Sequence, residues 1–259
     1  MIGFLLKKTF FDLWDNLFRI ALVNLGFIAS VSLPVFVPPL LESVPVLSLV
    51  VFFIGILWCF VYLVTAAVSM KSISDYGSFG FGDFFRNMKA AWPAGVAGGV
   101  LVFILILLTV RVIPFYLGME AMPVLGLFLA AVIFWTLVIG VLSLQFFPAV
   151  RARLDTKTVK IVKKCFLIFF DNSGFCIFSF ILLVIFLLLS AFLAFLFPGP
   201  AGILLFLDEG LRLRLLKYDW LEANPGENRR KIPWDVLLID EREKTGTRSL
   251  RNFIFPWKD

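Results

Sequence analysis

The chain has 259 residues, of which 61% are hydrophobic and 16% charged, with a formal net charge of +6. Globular domains average roughly 45–50% apolar and about 25% charged residues, and a soluble fold of this length cannot bury so much apolar surface in one core. The composition therefore excludes a soluble protein and predicts that lipid surrounds most of the chain.

The first predicted element covers residues 1–16, where "FLLKKTFFDLWDN" alternates apolar and charged residues at helical spacing. This pattern predicts a short amphipathic helix in the membrane interface. Apolar runs long enough to span a bilayer follow at about 17–37 and 46–70, separated by the proline-rich turn "PPLLESVP". Asn24 is the one strongly polar side chain deep in the first span, and a hydrogen bond to another helix is its simplest explanation.

A third span is predicted after Pro93, and it begins with small residues four apart in "PAGVAGGVL". Such spacing lets two helices approach closely in lipid, so we expect these residues to pack first within the chain and second against another copy of it. Arg111 comes late in this span. Its side chain either extends to the outer interface or marks an internal cavity. The fourth span covers about residues 124–147.

The basic segment 151–164 precedes a fifth span, which begins with Asp171 as either an interfacial cap or a polar site. The next run contains Asp208 and Glu209 too early for an ordinary spanning helix. Asp208 and Arg212 are four residues apart and are expected to pair, either as a neutralised pair at the end of a tilted helix or as a functional polar spot.

Loop charges favour six membrane segments over five. Basic loops at 71–89 and 151–164 are expected in the cytoplasm, whereas the loops at 38–45 and 115–123 carry one acid each. Five spans would leave the basic tail outside the cell. A sixth, imperfect membrane helix at about 198–222 returns it to the cytoplasm, so both termini are predicted to be cytoplasmic.

Residues 223–259 form a hydrophilic tail that is too short to build a core of its own. Its end, "SLRNFIFPWKD", combines basic and aromatic side chains that suit an anchor, namely Arg251, Phe253, Phe255 and Trp257. Anionic headgroups, a groove on the protein itself and a partner protein are all possible contacts for this anchor.

No pattern in the chain points to catalysis. The sequence contains no histidine and no glycine-rich loop followed by Lys and Ser or Thr, and its three cysteines are isolated in apolar sequence. We therefore expect no enzymatic activity, no cofactor and no metal. The basic residues lie too close to the predicted bilayer to form a docking face for nucleic acid.

Three stretches together resemble the YesL-like bacterial integral membrane proteins: "NLGFIASVSLPVFVPP", "FGDFFRNMKAAWPAGVAGGVL" and "LQFFPAVRARLDTKTVKIVKKCFLIFFDN". The resemblance covers about residues 10–220 and transfers no catalytic residue. Members of that family are polytopic and are often encoded beside carbohydrate ABC importers. The resemblance implies an accessory protein of solute uptake; the long tail departs from the family pattern.

The sequence thus predicts an all-α bundle of five or six membrane helices in a bacterial inner membrane: an interfacial helix at 1–16, the bundle at 17–222 and a cytoplasmic tail at 223–259. The first functional hypothesis is a non-enzymatic accessory or scaffold protein that contacts lipid and ABC permease subunits. The alternative is a small-solute transporter or channel, which needs a polar cavity lined by residues such as Asn24, Arg111 or Asp208. A membrane-embedded enzyme is the weakest reading.

Overall fold

The structure is a computed structural model that describes residues 1–228, 231–246 and 248, and these residues contain helices and no strand. A 3-10 turn, Pro38–Leu41, and a π-helical turn, Leu108–Val112, lie between α-helices. The α-helices are α1 Ile2–Asp15, α2 Leu17–Phe36, α3 Pro45–Ser74, α4 Phe81–Leu107, α5 Ile113–Leu117, α6 Pro123–Leu144, α7 Phe147–Arg153, α8 Thr158–Asp171, α9 Ser173–Phe192, α10 Gly199–Ala223, α11 Trp234–Leu237 and α12 Ile239–Thr245.

Five helical segments of the described chain are long and apolar enough to cross a membrane. The segments are Leu17–Leu41, Pro45–Ser74, Phe81–Leu117, Pro123–Arg153 and Ser173–Phe192. The predicted all-α polytopic bundle is confirmed, and the protein is a membrane protein.

The predicted sixth segment, α10, lies at the centre of the bundle. It packs against α1, α2, α3, α7 and α9, and the residues of its stretch 201–211 are all buried. Because protein surrounds this stretch, its two adjacent carboxylates face side chains rather than lipid. Whether α10 also crosses the bilayer stays a prediction.

Helix α1 runs alongside α10 and contributes to the core. Leu5 and Leu13 are buried, and they lie close to Gly210 and Gly202 of α10, respectively. The apolar side chains of Ile2 and Trp14 are exposed, so one face of α1 packs in the core and the other does not. Its contact with the membrane interface stays a prediction.

The small residues of α4 allow close packing on α3, as their spacing predicts. A Cβ atom at Gly95 would lie 2.5 Å from the Cα atom of Val61, and one at Gly99 would lie 2.9 Å from the Cα atom of Leu57. Contacts this short require glycine at both positions. The predicted packing within the chain is therefore confirmed.

Candidate functional site

Charged side chains concentrate at one end of the bundle, where α1, α7, α10, α12 and the end of α3 meet. We call this group the charge layer, and it consists of Lys8, Asp12, Asp75, Arg153, Asp208, Glu209, Arg212 and Glu241. Asp208 and Glu209 are almost completely buried, at 0% and 1% exposure. Burial of this kind requires paired and hydrogen-bonded charges.

Asp208 is paired with Arg153 of α7. Arg153 donates from Nε to Oδ1 at 2.8 Å and from Nη2 to Oδ2 at 2.5 Å, which is a two-pronged contact, and Nη2 also donates to Ser74 Oγ at 2.9 Å. Asp75 lies 3.0 Å from the same guanidinium. The pair thus joins α7, α10 and the end of α3.

The expected pairing of Asp208 with Arg212 is wrong. Adjacent turns of one helix place these residues on the same side, but Arg212 turns toward Asp75, 3.1 Å away, and Glu241, 2.6 Å away. Arg153 reaches Asp208 first because α7 lies against α10. Arg212 instead connects α10 to the chain after α3 and to α12.

Glu209 points about 100° away from Asp208 around the axis of α10 and contacts α1. Thr9 donates its hydroxyl proton to Glu209, and the Lys8 ammonium lies 3.5 Å from the same carboxylate while it also binds Asp12. Lys8 is 2% exposed. The buried Lys8 ammonium is therefore the cation that neutralises both the Asp12 and the Glu209 carboxylates.

Tyr76 connects the two halves of the charge layer. Lys8 Nζ lies 4.1 Å from the centre of the Tyr76 ring and the Arg212 guanidinium 5.2 Å from it, distances at which cations are attracted to the ring face. The Tyr76 hydroxyl donates to Glu241 Oε2 at 2.9 Å. Burial, together with the nearby Glu241 carboxylate, holds the pKa of Tyr76 well above its usual range, so the hydroxyl stays protonated as a donor.

The segment after α10 folds back onto this layer. Leu238 is completely buried in the main core, Lys7 donates to the carbonyl of Gly246 at 3.2 Å, and Arg248 binds Asp15 at 2.8 Å. The described part of the tail is therefore docked on α1 and α10. The predicted anchor residues Arg251, Phe253, Phe255 and Trp257 lie outside the described residues.

The charge layer connects several helices and contains more carboxylates than basic groups. Five carboxylates share the three basic groups Lys8, Arg153 and Arg212. Every carboxylate of the layer has at least one cation within 4 Å. The cations are thereby committed to holding α1, α3, α7, α10 and the tail in one arrangement. No group of three possible metal ligands occurs among the described residues.

Asn24 lies away from the charge layer and makes the predicted contact with another element. Its Nδ2 donates to the carbonyls of Leu196 and Pro198, both at 2.9 Å, and its Oδ1 accepts from the N–H of Ala201 at 2.8 Å. These bonds provide hydrogen-bond partners for two carbonyls in the loop between α9 and α10 and for one backbone N–H in the first turn of α10. The predicted interhelical hydrogen bond is confirmed.

We expect Asn24→Ala to lower the free energy of unfolding by roughly 2–4 kcal/mol, because two carbonyls and one N–H lose their partner. Apparent melting temperature in detergent measures the loss. Ser32→Ala is the matched control, since Ser32 is an exposed residue of the same helix that bonds only to its own backbone. Equal melting temperatures for the two variants would contradict the role of Asn24.

Asp171 and Arg111 occupy the surface. Asp171 binds Lys217 at 3.1 Å and accepts from Tyr218 at 2.9 Å. Burial would raise the pKa of Asp171, but these contacts and one from Asn172 outweigh it and hold that pKa below its usual value. Asp171 therefore fastens the α8–α9 junction to the last turns of α10, while Arg111 is exposed and forms no ion pair within residues 1–228.

A cavity of about 660 Å³ lies between α4, α6, α9 and the first half of α10. Thr109 and Gln145 are its only uncharged polar lining residues, and no charged residue lines it. A lining with so few polar groups offers water almost no hydrogen-bond partners, so it favours an apolar occupant.

The three polar residues expected to line a transport cavity are elsewhere. Asn24, Arg111 and Asp208 are all absent from the cavity lining. The remaining members of the charge layer were not predicted from the sequence; they are Lys8, Asp12, Asp75, Arg153 and Glu241. Isolated charged residues in the polar loops and ends of helices carry no signal that distinguishes them.

Comparison of the chain with family models, curated proteins and solved structures finds no match in any of the three.

Proposed function

We propose that this membrane protein is a non-enzymatic accessory or scaffold component of solute uptake in a bacterial inner membrane, with carbohydrate ABC importers as its partners. The observation that carries the scaffold part is the charge layer: its cations are committed to binding α1, α3, α7, α10 and the tail together. The likeness in sequence to YesL-like proteins supports the choice of partner.

A scaffold needs a surface of fixed shape, and the docked tail supplies one. Tyr76, Arg212 and Lys7 hold the segment 238–246 through contacts with Glu241 and Gly246. Because these contacts join residues far apart in sequence, the tail and the bundle present a single face. The excess of basic residues in the adjacent loops supports a cytoplasmic position for this face and for both termini.

The polar-solute transporter is less well supported. Such a transporter needs polar groups at a central cavity, whereas the cavity of this protein has an apolar lining. An accessory role makes no demand on that cavity.

The proposal is tested by isolating the tagged full-length protein from its native membrane after mild crosslinking. We expect ABC permease subunits to be enriched at least about tenfold over a preparation of an unrelated polytopic protein with the same tag. A variant that lacks residues 248–259 shows whether the tail end contributes. If the protein is recovered alone and moves a sugar across liposome membranes, the proposal is wrong.

A further inference from the structure

The apolar cavity between α4, α6, α9 and α10 has a second feature: it opens sideways. Val110 and Leu187 line it, and both are also exposed on the outside of the bundle, at 60% and 43%. α4, α6 and α9 all belong to membrane-spanning segments. The opening therefore faces the hydrocarbon of the bilayer.

One end of this cavity lies beside an uncompensated cation. Thr109 and Val110 line the cavity, and Arg111 is the next residue along the π-helical turn Leu108–Val112. Arg111 is exposed and has no acidic partner within residues 1–228, whereas Arg153 and Arg212 are both paired. A guanidinium can bind phosphate through two parallel hydrogen bonds, and phosphate is the anionic group of phospholipid headgroups.

We propose that the cavity is a binding site for one membrane phospholipid, with an acyl chain between α4, α6 and α9 and the phosphate at Arg111. The volume of about 660 Å³ falls within the ~300–1,000 Å³ range of small-molecule sites. An acyl chain supplies the apolar contacts that the lining requires and that water cannot make. The lipid thus fills the space that α6 shares with α4, α9 and α10.

Lipid retention by the full-length protein tests the site. Purified protein is washed extensively in mild detergent and examined by native mass spectrometry. We expect one phospholipid to remain bound to each chain. Val141→Trp places a large ring in the cavity and is expected to lower retention at least about tenfold.

Val132→Trp is the matched control, because Val132 belongs to the same helix and is exposed but does not line the cavity. It should retain lipid as the unmodified protein does. Arg111→Gln is expected to weaken retention of phospholipid about threefold to tenfold while leaving diacylglycerol unaffected, and Arg111→Lys should restore most of the loss.

A measurement on the unmodified protein covers the case in which Val141→Trp does not fold. A phospholipid with a photoreactive group in its acyl chain is crosslinked in reconstituted vesicles, and labelled peptides are identified. Labels on Leu105, Val141 or Leu183 support the site. Labels spread evenly over lipid-facing helices, equal retention by both tryptophan variants, or cysteine crosslinks that place a second copy of the chain in the cavity would each overturn the proposal.

Discussion

Asp208→Ala is expected to lower the free energy of unfolding by about 3–5 kcal/mol, because it leaves a buried arginine without its main partner. Arg153 is only 9% exposed at its side chain and makes two hydrogen bonds to Asp208. Asp75 keeps one contact with Arg153 at 3.0 Å but is 39% exposed, so water screens what remains.

The effect appears as a fall in apparent melting temperature on the order of 10 °C in detergent, since each kcal/mol corresponds to about 2–4 °C in a chain of this size. Asp235→Ala is the matched control. Its partner Arg242 is 52% exposed, and surface pairs of that kind contribute about 0–1 kcal/mol.

A double variant separates the effect of the Asp208–Arg153 ion pair on stability from the effect of the packing around it. Replacing both partners with apolar residues, as in Asp208→Leu with Arg153→Met, removes the unpaired charge and is expected to recover most of the lost stability. Asp208→Ala that melts like Asp235→Ala would show that the pair does not form in the membrane.

The membrane spans could be predicted from sequence because hydrocarbon imposes a simple length requirement. Charge-free runs such as the one from Ile20 to Leu41 satisfy that requirement over their own length and need no knowledge of neighbours. The close approach of Gly95 and Gly99 to α3 was predictable for the same reason, since small residues four apart have one main use in lipid.

The charge layer could not be predicted because its pairs join distant parts of the chain. Helical periodicity relates Asp208 only to residues three or four positions away, and it therefore suggested Arg212. The actual partner, Arg153, lies 55 positions earlier. Which of the two reaches Asp208 depends on how α7 and α10 pack, and this is a property of the whole fold.

The apolar cavity depends on tertiary structure to the same degree. Its walls come from seven helices, α2, α3, α4, α6, α7, α9 and α10, and Leu105, Val141 and Leu183 are ordinary lipid-compatible residues in sequence. Arg111 was recognised as either an interfacial residue or the marker of a cavity. The structure places Arg111 on the surface and outside the lining of the cavity, so it does not mark an internal cavity, and its position at the outer interface stays a prediction.

Lys8→Met should destabilise the protein by about as much as Asp208→Ala, roughly 3–5 kcal/mol. Lys8 is 2% exposed, and its ammonium contacts Asp12 and lies 3.5 Å from Glu209. Methionine keeps most of the length of the side chain but removes the charge, so Glu209 would remain buried beside the uncharged Thr9 hydroxyl and the Asp12 carboxyl group, with no cation. The charge layer already has more carboxylates than cations, and this variant increases the excess.

Adding Glu209→Gln to Lys8→Met tests the cause of that loss. If the unpaired carboxylate produces the destabilisation, the double variant should melt several degrees above Lys8→Met, because a neutral amide costs less to bury than a carboxylate. Lys160→Met is the matched control for loss of a lysine, since Lys160 is exposed on α8 and should change stability by less than about 0.5 kcal/mol. A double variant that melts below Lys8→Met would show that hydrogen bonding, rather than charge, governs this side of α10.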